Sequence, residues 1–185
     1  MRKGSIIDFI KTGSLGGVTL GMSEEDVVSI MGPPENRLET PDAFYISYNW
    51  WEIHFLKEKS GHKAILIHNK SLLNNVINHD EQIQFKNDQF EIELDFIEPF
   101  KHIRLKDVEE LFTTEGIGFE LVEKDWLPLL TTESGVYMDF SDTEPVSFAP
   151  EGIRWGPGRN QRLQRDEKRI ENREDWILYT IGIGN

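Results

Sequence analysis

Residues 16–34, G-G-V-T-L-G-M-S-E-E-D-V-V-S-I-M-G-P-P, constrain the fold more than any other stretch of this chain. They spell a short helix with both ends marked. Ser23 is a good N-cap, because its side-chain oxygen accepts from backbone N–H groups of the first turn. Asp26, three residues on, has capping-box spacing with a side chain shorter than the usual Glu or Gln. Glu24, Glu25 and Asp26 put negative charge at the positive end of the helix dipole. Val27, Ile30 and Met31 fall at i, i+3 and i+4 and make one apolar edge. Gly32 can adopt the left-handed conformation that closes a helix, and Pro33-Pro34 cannot continue it.

Beyond the helix the chain turns to β-structure. Residues 35–42 are polar and read as a loop. Phe44-Tyr45-Ile46-Ser47-Tyr48 alternates as a strand should. Asn49 marks a turn, and Trp51-Glu52-Ile53-His54-Phe55 alternates again, with Trp51, Ile53 and Phe55 facing the core and Glu52 and His54 facing outward. A turn at Lys59-Ser60-Gly61 leads to a third strand over 64–67. One helix thus runs into an antiparallel meander.

The same order recurs further on. Residues 103–112 are amphipathic, with Leu105, Val108, Leu111 and Phe112 on one side. Asp26-Val27 lines up with Asp107-Val108, and Ile30-Met31 with Leu111-Phe112. A strand over 118–122 comes next, and Val136-Tyr137-Met138-Asp139-Phe140 answers residues 51–55. The expected fold class is α+β, an antiparallel sheet from two weakly related helix-plus-β-meander repeats in one compact body. Chance likeness of two amphipathic units is the competing reading. Residues 1–15 form a lead-in, 16–96 the first half and 97–185 the second. Residues 82–85 and 90–96 read as a hairpin, with Glu91, Glu93 and Asp95 on its polar side. The second half includes a turn-rich loop over 152–158 and a charged excursion at 156–174, read as an exposed helix or an arm. Residues 175–181 return to β-character as a closing strand.

Composition narrows the function classes. The chain has no cysteine, which excludes disulfides, zinc–thiolate sites, thiol nucleophiles and a lipidated Cys. Arg2 and Lys3 start like a signal peptide, but Asp8 interrupts the apolar run, and no run approaches the ~20 apolar residues of a membrane span. A soluble, cytoplasmic protein without membrane association is the expectation. The net charge of −13 argues against a nucleic-acid partner. It is uneven, since seven basic residues stand against five acidic ones from 154 to 185, leaving −15 on residues 1–153. Two readings stay open, solubility and steering towards a basic protein partner.

Catalytic signatures are missing. The sequence contains no G-x-S-x-G, no G-K-[ST] after the glycine-rich 13–17, and no H-x-x-x-H or H-x-H pairing. His54 approaches His62 and His68 from a neighbouring strand, with Glu52 nearby, yet surface or edge histidines are the expectation for all five (His54, His62, His68, His79, His102). No metal, cofactor or catalytic residue is expected.

L-G-M-S-E-E-D-V-V-S-I-M-G-P-P, with Y-N-W-W-E-I-H-F and A-I-L-I after it, resembles the helix-plus-antiparallel-sheet unit of the β-lactamase-inhibitor-protein-like fold. Small outer-membrane assembly lipoproteins share that unit, as do immunity proteins encoded beside polymorphic toxins. The resemblance covers about residues 16–69, with a weaker second copy over 97–148. It implies two units whose sheets line up into one surface that grips a protein. This chain departs from the secreted inhibitors in lacking a signal peptide and disulfides, and from the lipoproteins in lacking a Cys. A cytoplasmic immunity protein against a basic toxin domain is therefore what the resemblance implies. Tyr45, Trp50 and Tyr137 fall opposite the predicted core, and with Glu52, His54, Glu93 and Asp139 they are the candidate partner-binding residues. Ordinary partly buried packing is the competing reading for the aromatics. A small-molecule or peptide-binding regulatory module, and then a hydrolase, are the alternative functions.

Overall fold

The computed structural model describes residues 1–59, 61–69, 72, 84–98, 101–124, 127–143 and 169–184. The chain opens with a strand, β1 (Arg2–Ser5), and a helix, α1 (Ile6–Thr12). Ser5 caps α1, its hydroxyl oxygen accepting from Asp8 N at 3.0 Å. The Asp95 carboxylate in turn accepts from the Ser5 hydroxyl at 2.7 Å and from Ile7 N at 2.8 Å. Ile6, Phe9 and Ile10 are fully buried, so the lead-in is part of the core rather than a loose end.

The second helix, α2 (Glu24–Met31), forms where its signals place it. Ser23 Oγ accepts from Asp26 N at 3.1 Å. The short Asp26 side chain returns to the Ser23 hydroxyl, 2.9 Å away. Val27 and Met31 are buried and Ile30 is half-buried. Gly32 ends the helix at φ 87°, ψ −174°, which is not the left-handed helical cap expected but an extended mirror conformation that glycine alone takes easily. The exit is held from outside, as Asn87 Nδ2 donates to Met31 O at 2.7 Å and the buried Tyr48 hydroxyl donates to Gly32 O at 2.9 Å.

Four strands come next, β2 (Asn36–Glu39), β3 (Ala43–Tyr48), β4 (Trp51–Glu58) and β5 (Gly61–Asn69). β2 corrects the expectation of a loop over 35–42. All four of its residues are exposed, so no apolar alternation betrays it. It is an edge strand held by pairing with β3, by Arg37 ion pairs to Glu24 and Glu39, and by the Arg37 guanidinium 3.9 Å over the Phe44 ring.

β6 (Phe90–Glu93) leaves this sheet and pairs in parallel with β1, making a separate two-stranded sheet. A turn at Asn87 brings Phe85 back against Ile92, as the hairpin reading expects; residues 82 and 83 of that hairpin lie outside the described residues. The third helix, α3 (Leu105–Glu115), buries Leu105, Val108 and Phe112 and half-buries Leu111. After it come β7 (Phe119–Lys124), β8 (Leu127–Thr132), β9 (Val136–Ser141) and β10 (Ile177–Gly184). β8 gives no strand signal in the sequence because Pro128, which has no N–H for a ladder, argues against one. The loop over 152–158 and the excursion up to residue 168 lie outside the described residues.

The eight strands form one sheet in the order β2-β3-β4-β5-β10-β9-β8-β7, with every neighbour antiparallel. A helix followed by a four-stranded meander thus occurs twice. β4 and β9 hold the same place in their meanders and show the same buried-out-buried alternation from Trp51 and from Val136. The last strand of each meander, β5 and β10, meet at the centre, with Ile181 opposite Asn69 and Ile183 opposite Ile67. The closing strand therefore docks in the middle of the sheet. One face carries Trp51, Ile53, Phe55, Met138, Phe140 and Ile181, which share a single core with the buried residues of all three helices.

The entry to β10 is clasped to the start of α3. Leu105 N donates to Trp176 O at 2.9 Å and Leu178 N to Ile103 O at 2.8 Å. Asp175 accepts from Lys106 Nζ at 2.7 Å and from Arg104 Nη1 at 2.8 Å. These hydrogen bonds, the Lys106 one foremost, hold the Asp175 carboxyl below its ordinary range. A depressed folded pKa stabilises only while the group is ionised, so the contribution is complete above the unfolded value of about 3.9 and vanishes as pH falls through the folded one. The difference in urea midpoint between wild type and Asp175→Asn should therefore be present at neutral pH and shrink below about pH 4. At Gly182, a Cβ would lie 2.7 Å from His68 Cβ and 2.8 Å from Tyr137 Oη. Gly182→Ala should cost about 1–3 kcal/mol by overpacking, read by urea unfolding.

Candidate functional site

Strand alternation sends every second side chain to the face opposite the core. One row on that face crosses all eight strands: Asn36, Ser47, Glu52, His68, Gly182, Tyr137, Thr131 and Glu120, each paired with the next. A second row, two residues along, runs Leu38, Tyr45, His54, Leu66 and Gly184. No helix among the described residues shares its buried side chains with these rows.

At the heart of the face sit Glu52, His54 and His68. Glu52 is directly opposite His68 across the β4–β5 ladder, and His54 follows Glu52 by two residues on the same strand. Glu52 Oε2 lies 3.0 Å from His54 Nε2 and 3.0 Å from His68 Nε2. The two imidazoles stand edge to face, with centroids 5.0 Å apart and planes at 89°. Tyr45 stacks on the outer side of His54 at 5.0 Å and 26°. His68 is buried at 8 % exposure, and Glu52 and His54 are half-buried.

Two shallow hollows flank this cluster. Tyr45, Trp50, Glu52 and Ser47 line one of about 480 Å³ with Glu35, Arg37 and Leu38. Tyr137 and Asp139 line another of about 380 Å³ with Leu66, Leu129 and Thr131. Burial, with the Asp139 charge as a lesser cause, raises the Tyr137 pKa, so its hydroxyl stays a neutral donor near neutral pH. Gly182 gives the Tyr137 ring room to lie across β10 towards His68.

Of the seven candidate contact residues, Tyr45, Glu52, His54, Tyr137 and Asp139 share this face. Trp50, 43 % exposed, stands in the β3–β4 turn beside it, where Asn49 adopts φ 53°. Glu93 does not belong. It lies on β6, in the other sheet, and ion-pairs with Lys3 at 2.5 Å. Its alternating pattern is legible in the sequence, but which sheet it joins depends on long-range pairing. His68 is absent from the candidate contact residues: the sequence sets it near His54 and Glu52 but reads it as a surface or edge histidine, whereas it is buried and directly opposite Glu52. His62, offered as a companion, instead packs edge-on against Phe44.

No family model matches the chain, and neither the curated proteins nor the solved structures compared with it give a match. Among the described residues, no helix is long and apolar enough to cross a membrane.

The cluster should also be felt in stability. Glu52→Ala removes an acceptor that serves two imidazoles at once and should cost about 1–3 kcal/mol in urea unfolding. His54→Ala, at a more open position with one such bond, should cost less.

Proposed function

We propose that this protein is a non-enzymatic, cytoplasmic protein-binding inhibitor of the immunity-protein kind, which neutralises a basic toxin domain by covering its active-site cleft. The observation that carries this reading is the outer sheet face, which no helix among the described residues packs against and which gathers Tyr45 and Tyr137 with Glu52 and Asp139, and with Trp50 in the turn beside it. Aromatics that are already held by neighbours lose little freedom on binding and make good anchors, while an acidic rim selects a basic surface. The net charge of −13 would speed encounter with such a partner. Hollows on this face are open and mixed in lining rather than deep and apolar, which suits a protein partner better than a small molecule. The resemblance of residues 16–69 to inhibitor units points the same way.

Affinity capture with the products of neighbouring genes tests this. A single basic partner should be retained, with binding that weakens as salt is raised. Tyr45→Ala and Tyr137→Ala should each lose at least tenfold in affinity, about 1.4 kcal/mol, without unfolding the chain. Finding no partner while the purified protein turns over a metabolite would overturn the proposal.

A further inference from the structure

We propose that Glu52, His54 and His68 form a binding site for a divalent transition-metal ion of the zinc type. Each of Glu52, His54 and His68 offers one donor atom, and the three lie within 4.8 Å of one another; Glu52 Oε2 is 3.0 Å from Nε2 of each histidine. Two imidazole nitrogens and one carboxylate oxygen are the donor set of zinc sites that keep a fourth position open. A tetrahedral ion with bonds of about 2.0–2.1 Å would place its donors about 3.3 Å apart. The two 3.0 Å spacings from Glu52 differ from that by a few tenths of an ångström, within reach of small side-chain rotations.

The three donors are set by backbone register rather than by loops. Glu52 and His68 are opposite each other on adjacent strands, and His54 is two residues along the same face. Tyr45 stacked on His54 limits the rotation of that ring. His68 is confined between Glu52 on one side and Gly182 on the other. Donors held by a rigid scaffold need little reorganisation to bind. The alternative is a static triad in which one carboxylate oxygen serves two imidazole N–H donors. The two states differ by small side-chain rotations. Moving each imidazole proton from Nε2 to Nδ1 frees the Nε2 lone pair with no net release of protons, and a ring rotation then turns it from the carboxylate oxygen towards the ion. His54, with 27 % of its side chain exposed, leaves the ion's open side towards the outer face. A water or a side chain of a bound protein would complete the coordination there.

The test uses the full chain, stripped with a chelator and titrated with zinc chloride by calorimetry, with cobalt(II) visible absorption as a second readout. Wild type should take up one ion per chain and show the spectrum of a tetrahedral cobalt site. His54→Ala and Glu52→Gln, checked for folding by circular dichroism, should each weaken uptake at least tenfold, since loss of even outer-shell partners costs 10- to 100-fold. His62→Ala, remote from the cluster, should bind as wild type does. No saturable uptake by wild type, or uptake that His54→Ala leaves unchanged, overturns the assignment. The site rests on side-chain geometry and not on the inhibitor reading, so a chain that captures a protein but no zinc overturns this inference alone.

Discussion

The pairing of β5 with β10 is the contact on which the rest depends. It joins two meanders into one sheet of eight strands. Without it each meander would end in a long unpaired edge, the arrangement most prone to wrong association. The pairing also sets both faces at once. On one side Trp51, Asn69, Ile181 and Met138 fall in a single row beneath the helices. On the other, the same register places His68 beside Gly182 and Gly182 beside Tyr137. A slip of one residue would exchange the two sets and bury the polar face.

The sheet centre is completed by β10, a segment far in sequence from β5. Such non-local pairing is slow to form, since loop closure precedes its reward. In the folded chain the clasp between Asp175 and the start of α3 fixes the entry to β10. Tightness at Gly182 is the other side of this economy. The central strand carries glycine where His68 and Tyr137 leave no volume for a methyl group. The same vacancy allows side chains of the two meanders to approach across β10.

Local signals are legible in the sequence and long-range ones are not. α2 can be read to the residue from Ser23 and Gly32, and the alternation of β3, β4 and β9 correctly assigns their faces. β2 is invisible because its stability comes from Arg37 and its neighbours rather than from apolar residues. β8 is hidden by Pro128, and β10 is legible as a strand but not as the central one. The same divide runs through the candidate site. Outward placement of Tyr45, Glu52, His54, Tyr137 and Asp139 comes from period-two alternation. Strand order brings His54 and Glu52 near His68, but the residue-to-residue register of Glu52 with His68, and the exile of Glu93 to the smaller sheet, come from pairing that no linear pattern encodes.

The two faces of the sheet divide the work. Helices seal one, and aromatic and acidic side chains gather on the other, which is where the proposed partner would sit. Hydrogen–deuterium exchange on the chain, free and with the protein recovered by affinity capture, addresses this most directly. Slowed exchange concentrated in the amides of β3, β4 and β9 around Tyr45, Glu52 and Tyr137, with α2 and α3 unchanged, is the result expected of a partner lying on the outer face. Protection confined to the helices, with the sheet amides unaltered, would contradict it.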